Sequence, residues 1–408
     1  MSKPPFCLGQ TGPRPIDASR VQAPNASMAF FDSFLDDTHT LLRATCRRFA
    51  EATIKPHAAE WEKAGIFPRS LYKEAAKAGV LGIGFPEAVG GSGGGHLHTV
   101  MGIEGMMRGG STGVSVGLWS LGIALPPLMQ WWNADLTERF VRPVLAGDKI
   151  ACLAVTEPGT GSDVAGVQTR ARRDGDHYVV DGAKMFITSG TRADVITTLV
   201  RTGEDAHGGL SFMVLTPDMP GVTVSRGLEK TGWCASDTAE LAFHQVRVPV
   251  ANRVGPEGSG FITLMKNFQS ERLALAAYGA VTAEIALDEA IRYARGRQAF
   301  GRPLVKFQVT RHKLADMATK VTAAKTLVYQ VATRMETGEN TMAEVSMAKN
   351  FAADVANTVC YEAVQIHGGM GYMRETLVER LSRDARLLPI GGGTQEVMKE
   401  IIAKTMAL

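Results

Sequence analysis

The sequence predicts an α+β multidomain protein: an N-terminal helical domain, a central β-barrel or sandwich, and a C-terminal helical bundle. Three observations carry this reading. Apolar residues recur at steps of three and four from about 31 to 149. The period then falls toward two from 150 to about 256. From Gly258 the helical period returns and holds, starting with a proline-free run at 261–295. The expected division is a disordered or loosely docked extension at 1–27, a helical domain at 28–149, a β domain at 150–256 and a helical domain at 257–408.

In the first helical part, Leu35, Leu41, Leu42, Phe49 and Ile54 form one apolar stripe that ends at Lys55-Pro56. The run Gly90-Gly91-Ser92-Gly93-Gly94-Gly95 cannot hold a helix and is a loop. A second helical stretch follows and closes with 136–145. In the middle, 178–180 and 184–188 flank Asp181-Gly182, a two-residue hairpin signal. Further strands are expected at 195–201, 209–215, 221–226 and 239–249, and short strands with frequent turns suit a barrel or sandwich. Pro303 breaks the long helix of the last part. A second helix is expected at 307–335, a third at 341–366 and a last one from 393.

Composition narrows the function. A net charge of +3, with both signs interspersed, lacks the clustered basic face that nucleic-acid binding needs. Cys7, Cys46, Cys152, Cys234 and Cys360 lie far apart without a CxxC pair, so they read as reduced thiols and not as a disulfide or zinc framework. No metal site is assigned. No stretch approaches 18 uninterrupted apolar residues, so no membrane span is expected. The first 27 residues have no apolar signal core. Lys3, Arg14 and Arg20 hint at a transit peptide, but Pro4, Pro5, Pro13, Pro15 and Pro24 oppose an amphipathic helix; a cytoplasmic location is expected for a bacterial chain, ahead of the mitochondrial matrix.

The chemistry concentrates near the C-terminus. Gln365-Ile366-His367-Gly368-Gly369-Met370-Gly371-Tyr372 and Ile390-Gly391-Gly392-Gly393-Thr394-Gln395-Glu396 are glycine-rich segments about one short helix apart. Their backbone N–H groups can approach a ligand closely. No acid stands among the glycines at 391–393, so a base acting beside that ligand must come from elsewhere. Glu271 is the candidate. It shares a helical stripe with Phe261, Leu264, Phe268, Leu275 and Tyr278, so its carboxylate projects toward the bundle interior. Burial there raises a carboxyl pKa toward the range of a general base. The same position suits a structural partner of a buried arginine, and pattern alone leaves both open. Pro158, Gly159 and Gly161 suffice for a turn between strands, Arg297 for a cation at a helix C-terminus, and Phe186 for a core aromatic. His367 reads as structural.

Five segments in order resemble the acyl-CoA dehydrogenase family. They are Ala154-Val155-Thr156-Glu157-Pro158-Gly159-Thr160-Gly161-Ser162-Asp163, Met185-Phe186-Ile187-Thr188-Ser189-Gly190, Asp237-Thr238-Ala239-Glu240, Tyr293-Ala294-Arg295-Gly296-Arg297-Gln298-Ala299-Phe300-Gly301, and the C-terminal run. The match extends from about Phe31 to the C-terminus. The resemblance implies a C-terminal four-helix bundle, an FAD cofactor and a homotetramer built as a dimer of dimers. It also implies oxidation of an acyl-CoA to its trans-2-enoyl-CoA in β-oxidation, with electrons passed to electron-transfer flavoprotein. Most of the family carries its base immediately before the Gly-Thr that matches Gly393-Thr394, where this chain has Gly392. That departure matches the long-chain and isovaleryl-CoA branches, in which the base stands on the long helix at the position of Glu271.

By the same resemblance, Val155, Thr156, Gly161, Ser162, Phe186, Ile187 and Thr188 touch the flavin and its ribityl chain, with Ser162 also facing the acyl-CoA. Phe186 stands where the family often has tryptophan. Arg297 and Gln308 reach the FAD of a neighbouring subunit; Gln365, Ile366, Gly368 and Gly369 bind its adenine-ribose half. Thr394 and Glu396 complete the cofactor site. Arg272, Gly392 and Gly393 meet the substrate, and the Gly392 N–H joins a ribityl hydroxyl in stabilising charge on the thioester oxygen. Two other readings stand beside a dehydrogenase: an acyl-CoA oxidase or flavin monooxygenase on the same scaffold, and a non-catalytic acyl-CoA or flavoprotein-binding module that has lost its loop base. Ala274 and Ala276 leave room for a long or branched tail, without sizing it.

Overall fold

Asp36 accepts the His39 N–H at 3.0 Å and opens the first long helix, α1 (Asp37–Phe49), in the computed structural model, which describes residues 29–408. The expected extension at 1–27 lies outside those residues. The inward face of α1 carries His39 and Cys46; of the expected apolar stripe, Ile54 is buried and Leu35, Leu42 and Phe49 pack half-buried against the core, whereas Leu41 is 65% exposed. The cause is the crossing with α2 (His96–Met106). A Cβ on Gly105 would stand 2.5 Å from both the Arg43 carbonyl and the Cys46 Cβ, so only the Cys46 face can lie there. Short helices between 58 and 145 complete this layer.

The chain then turns to strands: β1 (Ala151–Ala154), β2 (Arg170–Asp174), β3 (His177–Thr188), β4 (Val195–Arg201), β5 (Leu210–Leu215), β6 (Val222–Gly227), β7 (Thr238–Pro249) and β8 (Arg253–Val254). They form one eight-stranded sheet in the order β6-β7-β3-β2-β4-β5-β8, with β1 parallel beside β4. The expected hairpin at Asp181-Gly182 is not there. β3 runs straight through that pair, and its register on β7 shifts between Val180 and Gly182. The Asp181 carboxylate takes the Gln245 backbone N–H at 2.8 Å and the Gln245 Nε2 at 2.5 Å, which holds the pair as a bulge. The turn comes earlier, at Gly175, between β2 and β3.

The bundle follows as α3 (Gly260–Gly296), α4 (Gln308–Glu336), α5 (Met342–His367), α6 (Leu377–Ala385) and α7 (Gln395–Thr405). Gly279 on α3 lets the Ala352 backbone of α5 approach, since a Cβ there would stand 2.9 Å from its carbonyl oxygen. The faces between these helices are alanine-rich and fully buried, at Ala276, Ala280, Ala348 and Ala352 among others. A buried ionic seam ties the bundle to the N-terminal helices. Lys325 lies 3.0 Å from Glu104 and 2.7 Å from Glu284, and Arg108 pairs with Glu284 at 2.6 Å. Burial of such charges is costly unless each is paired, and here each is. Among the described residues no single helix is long and apolar enough to cross a membrane.

Candidate functional site

Glu271 sits about a third of the way along α3, a helix with no proline and no internal break. Its Oε2 is buried without a hydrogen-bond partner. Burial pushes its carboxyl up to about 7, against the opposing charges of Arg272 and Lys349. A buried carboxylate with an unused oxygen is costly to keep for structure alone. The Arg272 charge acts on the carboxyl, but Oε2 takes no hydrogen bond from that guanidinium or from any other described residue.

The glycine turn between α6 and α7 closes over that carboxylate. Gly392 has φ +63° and Gly393 φ +96°, left-handed conformations that favour glycine. A Cβ on Gly392 would stand 3.3 Å from Glu271 Oε1 and 2.3 Å from Leu275 Cδ1. Helix and turn are therefore in contact at this point, and a side chain at 392 would enter the space that Glu271 and Leu275 fill. Two consecutive residues of α5 pin the turn from behind. Lys349 Nζ donates to the Gly393 carbonyl at 2.5 Å, and Asn350 Nδ2 to the Gln395 carbonyl at 3.1 Å. Thr394 caps α7 by accepting the Val397 N–H. Lys349 is buried, and that burial holds its ammonium down at about 8, with Arg272 pushing the same way.

Arg272 is also buried; its guanidinium lies over the Phe268 ring at 5.5 Å, and its Nη2 would meet a Cβ on Gly393 at 3.8 Å. Its Nε has no partner. The structure thus brings together Glu271, Arg272, Gly392 and Gly393, as the sequence suggests, and adds Lys349. A lone lysine among Ala343, Ala348 and Ala352 on a helix was the available signal, and sequence reasoning passed over it.

A second group gathers where β3 meets the turn after β1. The Met185 N–H donates to the Thr156 carbonyl at 2.8 Å, which sets Phe186 beside Thr156. Phe186 has φ +62° and is 64% exposed, so it is not a core aromatic: its ring face is free. Thr156 and Thr188 are half-buried, and Gly161 and Ser162 are exposed. Ile187 is buried in the core of the sheet and Val155 in the core shared with the N-terminal helices, so only their backbone can line a ligand site. Beneath the turn, Glu157 accepts the Gln168 and Thr169 N–H groups at 2.7 and 2.9 Å and the Lys184 Nζ at 2.9 Å.

A third group lies at the far end of α3 and α5. Arg297 caps α3, and the Leu304 N–H returns to its carbonyl at 2.9 Å, which leads into Gln308 at the start of α4. His367 stacks on Tyr293 at 4.2 Å and bonds the Ala363 carbonyl, a structural role as expected. Gln365, Gly368 and Gly369 around it are exposed, with Ile366 half-buried. Phe300, between Arg297 and Gln308, is 96% exposed. A cavity of about 370 Å³ beside the glycine turn is lined by Asp354, Asn357, Arg386, Ile390, Thr394 and Glu396. The free ring face of Phe186 and the open glycines 161, 368 and 369, which have nothing within 4 Å of a Cβ position, suit a large flat cofactor carrying phosphates.

Comparison with known proteins agrees with this architecture. Models of the acyl-CoA dehydrogenase N-terminal, middle and C-terminal domains match residues 36–148, 152–246 and 258–407. The long-chain specific acyl-CoA dehydrogenase of Sus scrofa mitochondria is 37% identical over 90% of this chain and 86% of its own length. A 3-(aryl)acrylate reductase of Clostridium sporogenes is 36% identical over 91% and 99%. Among solved structures, a probable acyl CoA dehydrogenase of Mycobacterium abscessus superposes with a TM-score of 0.90 at 52% identity, over 91% of this chain and 100% of that one. A glutaryl-CoA dehydrogenase of Mycobacterium smegmatis in complex with FADH2 gives 0.86 at 26% identity, over 93% and 97%.

Proposed function

This chain belongs to the acyl-CoA dehydrogenase family, and on that premise we propose that it oxidises a long-chain or branched acyl-CoA to its trans-2-enoyl-CoA with Glu271 as base. One observation carries the assignment: a buried carboxylate oxygen without a partner, held against the glycine turn. FAD, the family's cofactor, supplies the acceptor for the hydride that leaves the substrate β-carbon. Glu271 takes the α-proton, and the two losses together leave the 2,3 double bond. The Gly392 N–H is the donor for the charge that grows on the thioester oxygen, and a glycine supplies it as well as an acid would. The turn covers one oxygen of the carboxylate, and that burial is what raises its basicity toward neutrality.

Val155, Thr156, Gly161, Ser162, Phe186, Ile187 and Thr188 are the proposed flavin wall, Val155 and Ile187 through their backbone. Arg297, Gln308, Gln365, Ile366, Gly368 and Gly369 are proposed to serve the cofactor of a neighbouring subunit in a homotetramer. Support for the shared site is the exposure of Phe300 and Tyr372, at 96% and 81%, beside those residues. Thr394 and Glu396 would close it, and Arg272 would face the CoA portion. Reduced cofactor would pass its electrons to electron-transfer flavoprotein. The direct test is anaerobic titration of the yellow holoenzyme with straight and branched acyl-CoAs. Bleaching with at least one class is expected. FAD that stays oxidised across the whole panel would leave the binding-module reading in its place, and rapid peroxide formation in air would favour an oxidase.

The base also sets the pH profile. kcat/KM should rise with pH through about 7, as Glu271 loses its proton. The Lys349 ammonium lowers that carboxyl, so Lys349→Met should move the acidic limb to higher pH, whereas Lys349→Arg should leave it near the wild-type position. A limb that stays put in Lys349→Met would remove Lys349 from the electrostatics of the base.

A further inference from the structure

Three residues that the proposed chemistry does not use converge at the seam between the N-terminal helices and the bundle. They are His39 on α1, His98 on α2 and Glu336, the last residue of α4. One ligand atom from each lies within 4.8 Å of the other two. We propose that His39, His98 and Glu336 bind a divalent transition-metal cation of the zinc type, which ties α1 and α2 to the C-terminal end of α4.

The strongest observation is the state of His39. Its side chain is 10% exposed, and its Nε2 is buried with no hydrogen-bond partner. Its Nδ1 lies 2.7 Å from the Asp36 carboxylate. The Thr38 hydroxyl donates to that carboxylate at 2.6 Å and the His39 backbone N–H at 3.0 Å, which fixes its position. The same Nδ1 stands 3.3 Å from the Asp36 backbone N–H, so Asp36 occupies that side of the ring and Nε2 is the nitrogen left to meet a ligand. A buried ring nitrogen without a partner is unfavourable, and a cation bound there would satisfy it.

His98 and Glu336 complete the set. The His98 ring stacks on His39 with centroids 4.0 Å apart and planes tilted by 35°. Its Nδ1 takes the Gly95 N–H at 3.3 Å and its Nε2 meets the Thr38 hydroxyl at 3.0 Å, both weak enough to be exchanged for a metal bond. Glu336 Oε1 accepts the Leu97 N–H at 2.9 Å, which aims the carboxylate at the pair, and its exposure gives the ion an entry path. Tetrahedral binding with bonds of about 2.0–2.1 Å needs ligand atoms roughly 3.3 Å apart, so atoms now within 4.8 Å of one another must close by up to about 1.5 Å. Two imidazoles and one carboxylate suit Zn²⁺, Co²⁺ or Ni²⁺ and disfavour Ca²⁺ and Mg²⁺.

The test uses tag-free holoenzyme freed of metal by a chelator. Co²⁺ titration, read by ligand-field bands to the red of the flavin, and Zn²⁺ calorimetry should each give one saturable equivalent per chain. His98→Gln and Glu336→Gln should each weaken binding at least about tenfold. Added Zn²⁺ should raise the Tm of the wild type and not that of Glu336→Gln. The exposed Glu336→Gln should keep wild-type turnover, which separates this site from the catalytic one. Absence of a stoichiometric site in the wild type, or wild-type affinity in both variants, would overturn the proposal.

Discussion

Glu271→Gln should slow flavin reduction by the best acyl-CoA by about a thousandfold or more, with FAD still bound. Loss of a positioned general base commonly costs 10²–10⁴-fold. The upper part of that range applies here because no second carboxylate stands in the turn to substitute: 391 to 393 are all glycine. The same substitution should stabilise the protein. A carboxyl raised from 4.5 to about 7 by burial is one whose ionised form is disfavoured in the folded state. Its penalty is absent below about pH 4.5, grows as pH rises toward 7, and is constant above. At about 1.4 kcal/mol per pH unit this amounts to up to ~3 kcal/mol, less whatever water reaches the half-buried residue. The Tm of Glu271→Gln should therefore exceed that of the wild type above pH 7, and the gap should shrink on acidification. Stopped-flow anaerobic reduction and thermal melts across pH measure both. A variant that reduces at the wild-type rate would displace Glu271 from the mechanism. A variant that is inactive but no more stable would show that the buried oxygen is hydrated in solution.

Why was Glu271 legible and Lys349 not? A carboxylate on a stripe with Leu264, Leu275 and Tyr278 announces its burial by period alone, and α3 is long enough for the period to be sure. Lys349 lies on α5, which is alanine-rich and buried on most sides, so its lysine has no distinct polar face to depart from. Its role depends on a turn 44 residues further on, a contact that no local pattern encodes. Asp181-Gly182 misled for a related reason. The pair has turn chemistry, but a partner 64 residues away, Gln245, takes the aspartate and turns the signal into a bulge. Leu41 misled because hydrophobicity chooses a face only until backbone approach at Gly105 chooses another. The long helices, the strand at 195–201 and the order of the three layers were readable, since each rests on a run of residues and not on one distant contact. The His39–His98–Glu336 cluster was invisible, because its members lie 59 and 238 residues apart and none is unusual alone.

Lys184→Met should cost about 3–5 kcal/mol of stability and release FAD, although Lys184 is outside the proposed flavin wall. Its side chain is wholly buried in β3, and its Nζ bonds Glu157 Oε1 and the Val155 carbonyl, both at 2.9 Å. Glu157 is itself buried and holds the Gln168 and Thr169 N–H groups, so the lysine ties β3 to the turn after β1, and Glu157 ties that turn to the residues leading into β2. Methionine fills the volume but leaves a buried carboxylate without its counter-charge and a carbonyl without a donor. Removing one partner of such a pair is the costly case; removing both is often close to neutral. The double variant Glu157→Gln/Lys184→Met should accordingly recover most of the stability. FAD retention should recover less, because Val155 and Thr156 would still lack the anchor that sets their backbone beside Phe186. Denaturant melts of the two single variants and the double variant, with bound flavin counted in each, distinguish these outcomes. A Lys184→Met enzyme that keeps full stability and a full complement of FAD would mean that the turn is held by the sheet alone, and the link between this ion pair and the cofactor site would be lost.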